Sequence, residues 1–270
     1  MANRRLAVLA AAGLSLVTAQ TALAVPAIWE SNFGGSVLIG DDSTTTVALG
    51  FGFTFLGNTY TSVEISSNGF LSLGGSNGSG CCDASVSGFL SGAPRIAAAW
   101  YDLISPPGSI KHNSLAGKEV FTWDGVPEFS NSNPNRFQIQ LFSTGQIVFG
   151  YDVLNPLEDG GHRHHALIGV TGGGGSPDPG ETDYTAALPL TTSGGTVYEF
   201  FNRGPNGATG GTPDTFDVAG TNICFDPSGS GWNVNSCGGA PVPEPASLGL
   251  LGAGLAAIGG AARRRRRNNS

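Results

Sequence analysis

From residue 47 to residue 73, apolar side chains fall on every second position. Val47, Leu49, Phe51, Phe53 and Phe55 alternate with smaller residues, and Val63 and Ile65 alternate with Glu64 and Ser66. A period of two sets one face of a strand against a core and leaves the other in water. Asn68-Gly69 separates strand patterns over 60–67 and 70–73, and this dipeptide tolerates the positive φ angles of a type I′ hairpin turn. A second hairpin is predicted over 136–151: Phe137, Ile139 and Leu141 share a face, Thr144-Gly145 turns the chain, and Ile147, Phe149 and Tyr151 return. Shorter strands are predicted at 96–101, 119–123, 166–170 and 196–201. Short strands with regular turn signals and no long helical period predict an all-β fold, an antiparallel β-sandwich over residues 25–201.

The pattern changes at both ends. Arg4 and Arg5 precede an apolar stretch over 6–19 and the small-residue site Ala22-Leu23-Ala24, the three parts of a secretory signal peptide spanning 1–24 with cleavage between Ala24 and Val25. After residue 201 the chain turns rich in Gly, Pro, Asn and Thr, and 202–241 reads as a stalk. Residues 242–270 hold Val242-Pro243-Glu244-Pro245, an apolar run over 246–262, and Arg263, Arg264, Arg265, Arg266 and Arg267. The two prolines keep the backbone around Glu244 extended, the form in which a peptide enters a processing enzyme's cleft. As a helix, the apolar run reaches about 25 Å, the short end of what crosses a bilayer. A single transmembrane helix is therefore expected there, with the arginines as a stop-transfer signal on the cytoplasmic side. Gly252, Ala256 and Gly260 recur every four positions and give that helix one smooth face.

Composition narrows the function. Only 12% of the 270 residues are charged, and 43 glycines and 16 prolines fit a turn-rich β protein and exclude a helical bundle. Charge is strongly partitioned. Residues 25–241 keep six of the 13 Lys and Arg but 19 of the 20 Asp and Glu, for a formal charge of −13. Such a body has no basic surface for phosphate backbones, which argues against nucleic-acid binding.

In an exported chain, Cys224 and Cys237 are expected to form a disulfide. The adjacent Cys81 and Cys82 either bridge each other or pair with the tail cysteines, and nothing around them suggests a catalytic thiol. His162, His164 and His165 lie beside Asp159 in what reads as an exposed polar loop, not a metal site. Asp41, Asp42, Asp102 and Asp152 are oxygen donors of the kind calcium takes, without a ligand loop of recognised spacing, and read as a solvated acidic edge. Gly74-Gly75-Ser76-Asn77-Gly78 fits the letters of a serine-hydrolase elbow but lacks the helix that must follow, and 172–175 lacks the Lys-Ser/Thr of a phosphate loop. Trp29, Trp100, Trp123 and Trp232 with Tyr60 and Tyr101 offer a carbohydrate-stacking platform, against which core packing is favoured for Trp100 and Trp123. No catalytic residue, metal or cofactor is expected.

Two resemblances add to this reading. Pro243-Glu244-Pro245, the glycine- and alanine-rich apolar segment and the arginine cluster together resemble the PEP-CTERM sorting signal of Gram-negative bacteria. That resemblance implies recognition by an exosortase, a membrane cysteine protease-transpeptidase, after export through the Sec machinery and signal peptidase. It also implies delivery from an inner-membrane-anchored precursor to the cell surface or extracellular matrix of an exopolysaccharide-making cell. The blocks Phe51-Gly-Phe-Thr-Phe-Leu-Gly-Asn-Thr-Tyr60, Val63-Glu-Ile-Ser-Ser-Asn-Gly-Phe70, Arg95-Ile-Ala-Ala-Ala-Trp-Tyr-Asp-Leu103, Phe121-Thr-Trp-Asp-Gly-Val-Pro127 and Asn135-Arg-Phe-Gln-Ile-Gln-Leu-Phe142, followed by Gly145-Gln-Ile-Val-Phe-Gly-Tyr151, resemble a nidogen-like extracellular domain. Such domains occur in matrix and adhesion proteins and bring no catalytic residues. The expectation is an exported structural, adhesive or exopolysaccharide-associated protein without catalysis. The alternatives are a secreted carbohydrate-active hydrolase, which needs two opposed carboxylates such as Asp102 and Asp152, and a calcium-dependent adhesin.

Overall fold

The computed structural model describes residues 28–155, 164–203 and 214–237. The first half holds β1 (Gly35–Ser36), β2 (Thr44–Phe55), β3 (Asn58–Ser66), β4 (Phe70–Ser72), helix α1 (Val86–Ser91), β5 (Arg95–Trp100), β6 (Ile110–Leu115) and β7 (Lys118–Pro127). Then come β8 (Pro134–Phe142), β9 (Ile147–Val153), β10 (Ala166–Thr171), the short helix α2 (Tyr184–Ala187), β11 (Leu190–Thr191), β12 (Val197–Phe201), β13 (Asn222–Ser228) and β14 (Gly231–Asn235). Eight strands form one sheet, in the order β1-β6-β7-β8-β9-β13-β14-β11. Six form the other, β12-β10-β5-β4-β3-β2, and every pairing is antiparallel.

The sheets enclose one main core, and the period-two residues fill it: Phe53, Phe55, Val63 and Ile65 from one sheet meet Phe121, Phe137, Ile139, Leu141 and Phe149 from the other. Trp123 stacks on Phe137 at 5.0 Å and sends its indole N–H to the Ser66 and Ser67 carbonyls, so the ring is buried and its polar atom satisfied. The outer face of the six-stranded sheet is not wet at its centre. Phe70, Ala97, Trp100, Leu167 and Tyr198 pack there under Ala84 and Phe89, carried over the sheet by α1 and the loop before it. This explains why all six residues of β5 are buried.

Both hairpins form, with tighter chemistry than expected. Ile65 pairs with Leu71, so 67–69 make a three-residue loop in which Gly69 alone has positive φ, +84°, and the predicted two-residue type I′ turn is corrected. Asn68 is fully buried and is a tether more than a turn former. Its Nδ2 donates to Asp42 Oδ1 at 2.9 Å and its Oδ1 accepts from Leu103 N at 2.7 Å.

The stalk expected over 202–241 is also corrected. β13 pairs with β9 and β14 pairs with β13, and Phe225, Trp232 and Val234 enter the core. Alternation of large apolar side chains across this short hairpin outweighs the Gly/Pro-rich composition around it. Cys224 is bonded to Cys237 as expected, closing the hairpin.

Where β2 bends away from β3 between Ala48 and Phe53, Gly50 N donates to Glu119 Oε1 at 2.6 Å, tying the strand to the facing sheet. At the chain's start, Trp29 lies against Gly150 on the outer face of the eight-stranded sheet, and Lys118 Nζ meets Glu30 at 2.8 Å. Among the described residues no helix is long and apolar enough to cross a membrane. The signal peptide with its Ala24/Val25 site, the 246–262 span, Pro243-Glu244-Pro245 and the arginine run all lie outside the described residues.

Candidate functional site

Antiparallel pairing sends alternate connections to the same end of a sandwich. Here the connections β1–β2, β3–β4, β5–β6 and β7–β8 and the described parts of β9–β10 and β12–β13 gather at one end, where Leu103 and Glu128 form a bridge. A buried ionic cluster lies there. Glu128, fully buried just after β7, receives Arg203 Nη2 at 3.0 Å and His164 N at 3.2 Å. Arg203 is 1% exposed, donates through Nη1 to the His164 carbonyl at 3.2 Å, and lies over the ring of Tyr101. His164 Nε2 stands 3.5 Å from Asp102, and His165 N donates to Asp83 Oδ1 at 2.8 Å.

Outside this ion-paired floor lie the carboxylates of Asp41 and Asp42. Asp41 Oδ1 accepts from Ser105 N at 3.2 Å, and the Asp42 contact to Asn68 fixes its neighbour. Three of the four aspartates expected as a solvated acidic edge thus converge, and one of them, Asp102, is buried. The fourth, Asp152, is elsewhere, 2.9 Å from Arg136 Nε. Burial, then the fields of Asp42, Asp41 and Glu128, push the Asp102 carboxyl up to about 6 against the opposing pull of His164. Burial lowers the affinity of His164 for its proton, but the carboxylates of Glu128, Asp102 and Asp83 outweigh it and the group is raised.

Cys81 and Cys82 are bonded to each other, which decides between the two pairings open in the sequence. Their sulfurs lie within 4.8 Å of carboxylate oxygens of Asp42 and Asp102. Elsewhere the candidates resolve into structure. Ser76 accepts from Gly78 N and donates to Glu64, a turn and not an elbow. Residues 172–175 cap α1, with Gly174 N on the Gly92 carbonyl and Gly175 N on that of Leu90. Tyr101, Trp123 and Trp232 are core residues and Trp100 lies beneath α1, so four of the six aromatics offered as a sugar platform are buried. His162 and Asp159 lie outside the described residues.

One pH dependence follows. The Glu199 carboxyl is pushed up to about 7 by burial and then by Asp217, Asp183 and Glu181, against the Tyr184 N–H it accepts. Glu199, Asp102 and His164 all bind protons more tightly folded than unfolded, so between about pH 5 and 8 the native state holds more protons and stability falls as pH rises. The melting temperature is expected to be several degrees higher at pH 5 than at pH 8, and Glu199→Gln to flatten the slope. A calorimetric profile that rises towards pH 8 contradicts this assignment.

The architecture defines a class: a disulfide-bonded antiparallel sandwich with an acidic, loop-built end. Residues 22–209, more than half of the chain, match the NIDO related family, and the chain belongs to it. Residues 241–267 match the PEP-CTERM protein-sorting motif, which marks an exosortase-processed, exported surface protein. No curated protein and no solved structure matches the chain. Glu128 and Arg203 were missed in the sequence because each is a lone charge beside apolar residues, and their pairing across 75 positions leaves no local trace.

Proposed function

We propose that this protein is an exported, non-catalytic β module held in the inner membrane until an exosortase cuts near Pro243-Glu244-Pro245, after which the body serves a structural, adhesive or exopolysaccharide-associated role at the surface or in the matrix. The observation that carries this reading is a PEP-CTERM motif on the same chain as a NIDO-related domain. Its support is physical as well. The body carries two disulfides, stable where the compartment is oxidising. Its net negative charge disfavours close approach to anionic lipid and keeps it soluble once cut.

The test is a chain tagged after Arg267, expressed in cells with an active exosortase. The tag is expected to separate from the body, and the body to reach the surface or medium. Replacing Pro243, Glu244 and Pro245 by alanine is expected to leave the tag attached and the body in the inner membrane. Equal processing of both chains, or an intact arginine run in the surface-located protein, would falsify the sorting reading.

A further inference from the structure

Four donor atoms of different kinds meet at the loop end: the sulfurs of Cys81 and Cys82 and one carboxylate oxygen each from Asp42 and Asp102, all within 4.8 Å of one another. The segment that brings the cysteines there is clamped on both sides. Before them, the Ser79 carbonyl accepts from Ser66 Oγ and Asn68 Nδ2, and the Gly80 carbonyl accepts from the buried Trp100 indole at 2.7 Å. A side chain at Gly80 would meet Phe70 and Trp100 at 2.5 and 2.7 Å, so the backbone is pressed directly onto the rings. After them, Asp83 holds His165 N and Ala84 N donates to the His165 carbonyl. Asp102 is 7% exposed and faces this group, while the cysteines and Asp42 are open to solvent. The site is held in place by buried side chains yet open to reagents.

We propose that this end of the sandwich is a thiol-gated site for a soft divalent cation: closed to it while Cys81 and Cys82 are bonded, and completed as a two-thiolate, two-carboxylate site when they are reduced. In the bonded state neither sulfur is a thiolate, and the thiolate is the form that ligates metal. A dithiol reductant opens the bond in two exchange steps: it gives two electrons and two protons to Cys81 and Cys82 and becomes a cyclic disulfide. Binding the cation then releases the two thiol protons. Zinc-like ions accept four such donors tetrahedrally, with bonds to sulfur of about 2.3 Å and to oxygen of about 2.0 to 2.2 Å. Donors so arranged stand within about 4 Å of one another, close to the spread already present. Calcium gains nothing from the new sulfur ligands, so the gate discriminates by softness. The inference goes beyond the sorting reading and stands whether or not the chain is cut.

Cadmium is the probe, because thiolate-to-cadmium charge transfer absorbs in the ultraviolet and reports sulfur ligation directly. The purified full chain is treated with dithiothreitol, freed of reductant without air, and titrated with cadmium beside an untreated sample. The reduced protein is expected to bind one equivalent with the charge-transfer band, and the untreated protein to show no band. Cys81→Ser/Cys82→Ser is expected to abolish it with Cys224 and Cys237 still present. Asp102→Asn and Asp42→Asn are each expected to weaken binding by at least about 10-fold, the lower end of what losing even a ligand's supporting partner does. Cadmium is also expected to protect Cys81 and Cys82 from alkylation, read by peptide mass, a measurement independent of the band. A band that survives the double serine substitution, an affinity indifferent to both aspartates, or equal binding before and after reduction overturns the proposal.

Discussion

Gly69→Ala is expected to leave almost no folded protein. Gly69 has φ +84°, and a β-carbon built on it falls 1.9 Å from the Ala99 carbonyl oxygen and 2.7 Å from its carbon. Both are backbone atoms of the buried strand β5, so no rotamer change relieves the overlap. The same Gly69 carbonyl accepts from Ala98 N and Ala99 N, each at 3.2 Å, and moving the turn to admit a methyl group breaks both bonds. The turn also carries Asn68, whose amide joins Asp42 to Leu103. The loss should therefore exceed the roughly 4 to 5 kcal/mol that marks exceptional single substitutions. Gly220→Ala separates the two causes. Gly220 also has positive φ, +72°, but nothing lies within 4 Å of the position its β-carbon would take, so only the conformational penalty of about 1 to 2 kcal/mol applies. Soluble yield and thermal unfolding of the two variants decide it. If Gly69→Ala melts within a few degrees of Gly220→Ala, close approach at β5 is not what the glycine serves.

That glycine also shows what a sequence can carry. Asn68-Gly69 announced a turn, because the dipeptide's torsional freedom is a local property. Loop length and the burial of the Asn68 side chain belong to the partner strand and to Leu103, 35 residues away, and have no local signature. The strands β2, β3, β8 and β9 were legible because their apolar residues repeat every two positions, and β5, β7, β10 and β12 because they are short runs rich in apolar residues, buried throughout in β5 and β10. β13 and β14 were not. Their alternating apolar residues are few and set among Gly, Pro and Asn, a composition that reads as a stalk, and the pairing of β13 with β9 and of β14 with β13 is what brings them into the sheet. Of the acidic end, the aspartates were visible as residues, but their meeting point depends on which loops share an end of the sandwich. Topology fixes that, and composition does not.

The ion pair beneath that end gives the second large effect. Arg203→Met is expected to cost about 3 to 5 kcal/mol, roughly 6 to 20 °C in melting temperature, because it strands the fully buried Glu128 without its guanidinium. An exposed pair would cost at most about 1 kcal/mol. The Glu128 carboxylate then stays buried without the guanidinium it meets at 3.0 Å, and a buried charge that has lost its counter-charge is what the loss reports. Glu128→Gln in the Arg203→Met background keeps an acceptor for His164 N and removes the charge. It should recover much of the loss. A defect below about 1 kcal/mol, or one that the second substitution leaves unchanged, places the stabilisation in side-chain packing around Tyr101 and not in the charge pair. Because Arg203 also holds the His164 carbonyl, the same variant should loosen the His164–Asp102 contact, so the floor of the acidic end and the stability of the sandwich share one pair of charges.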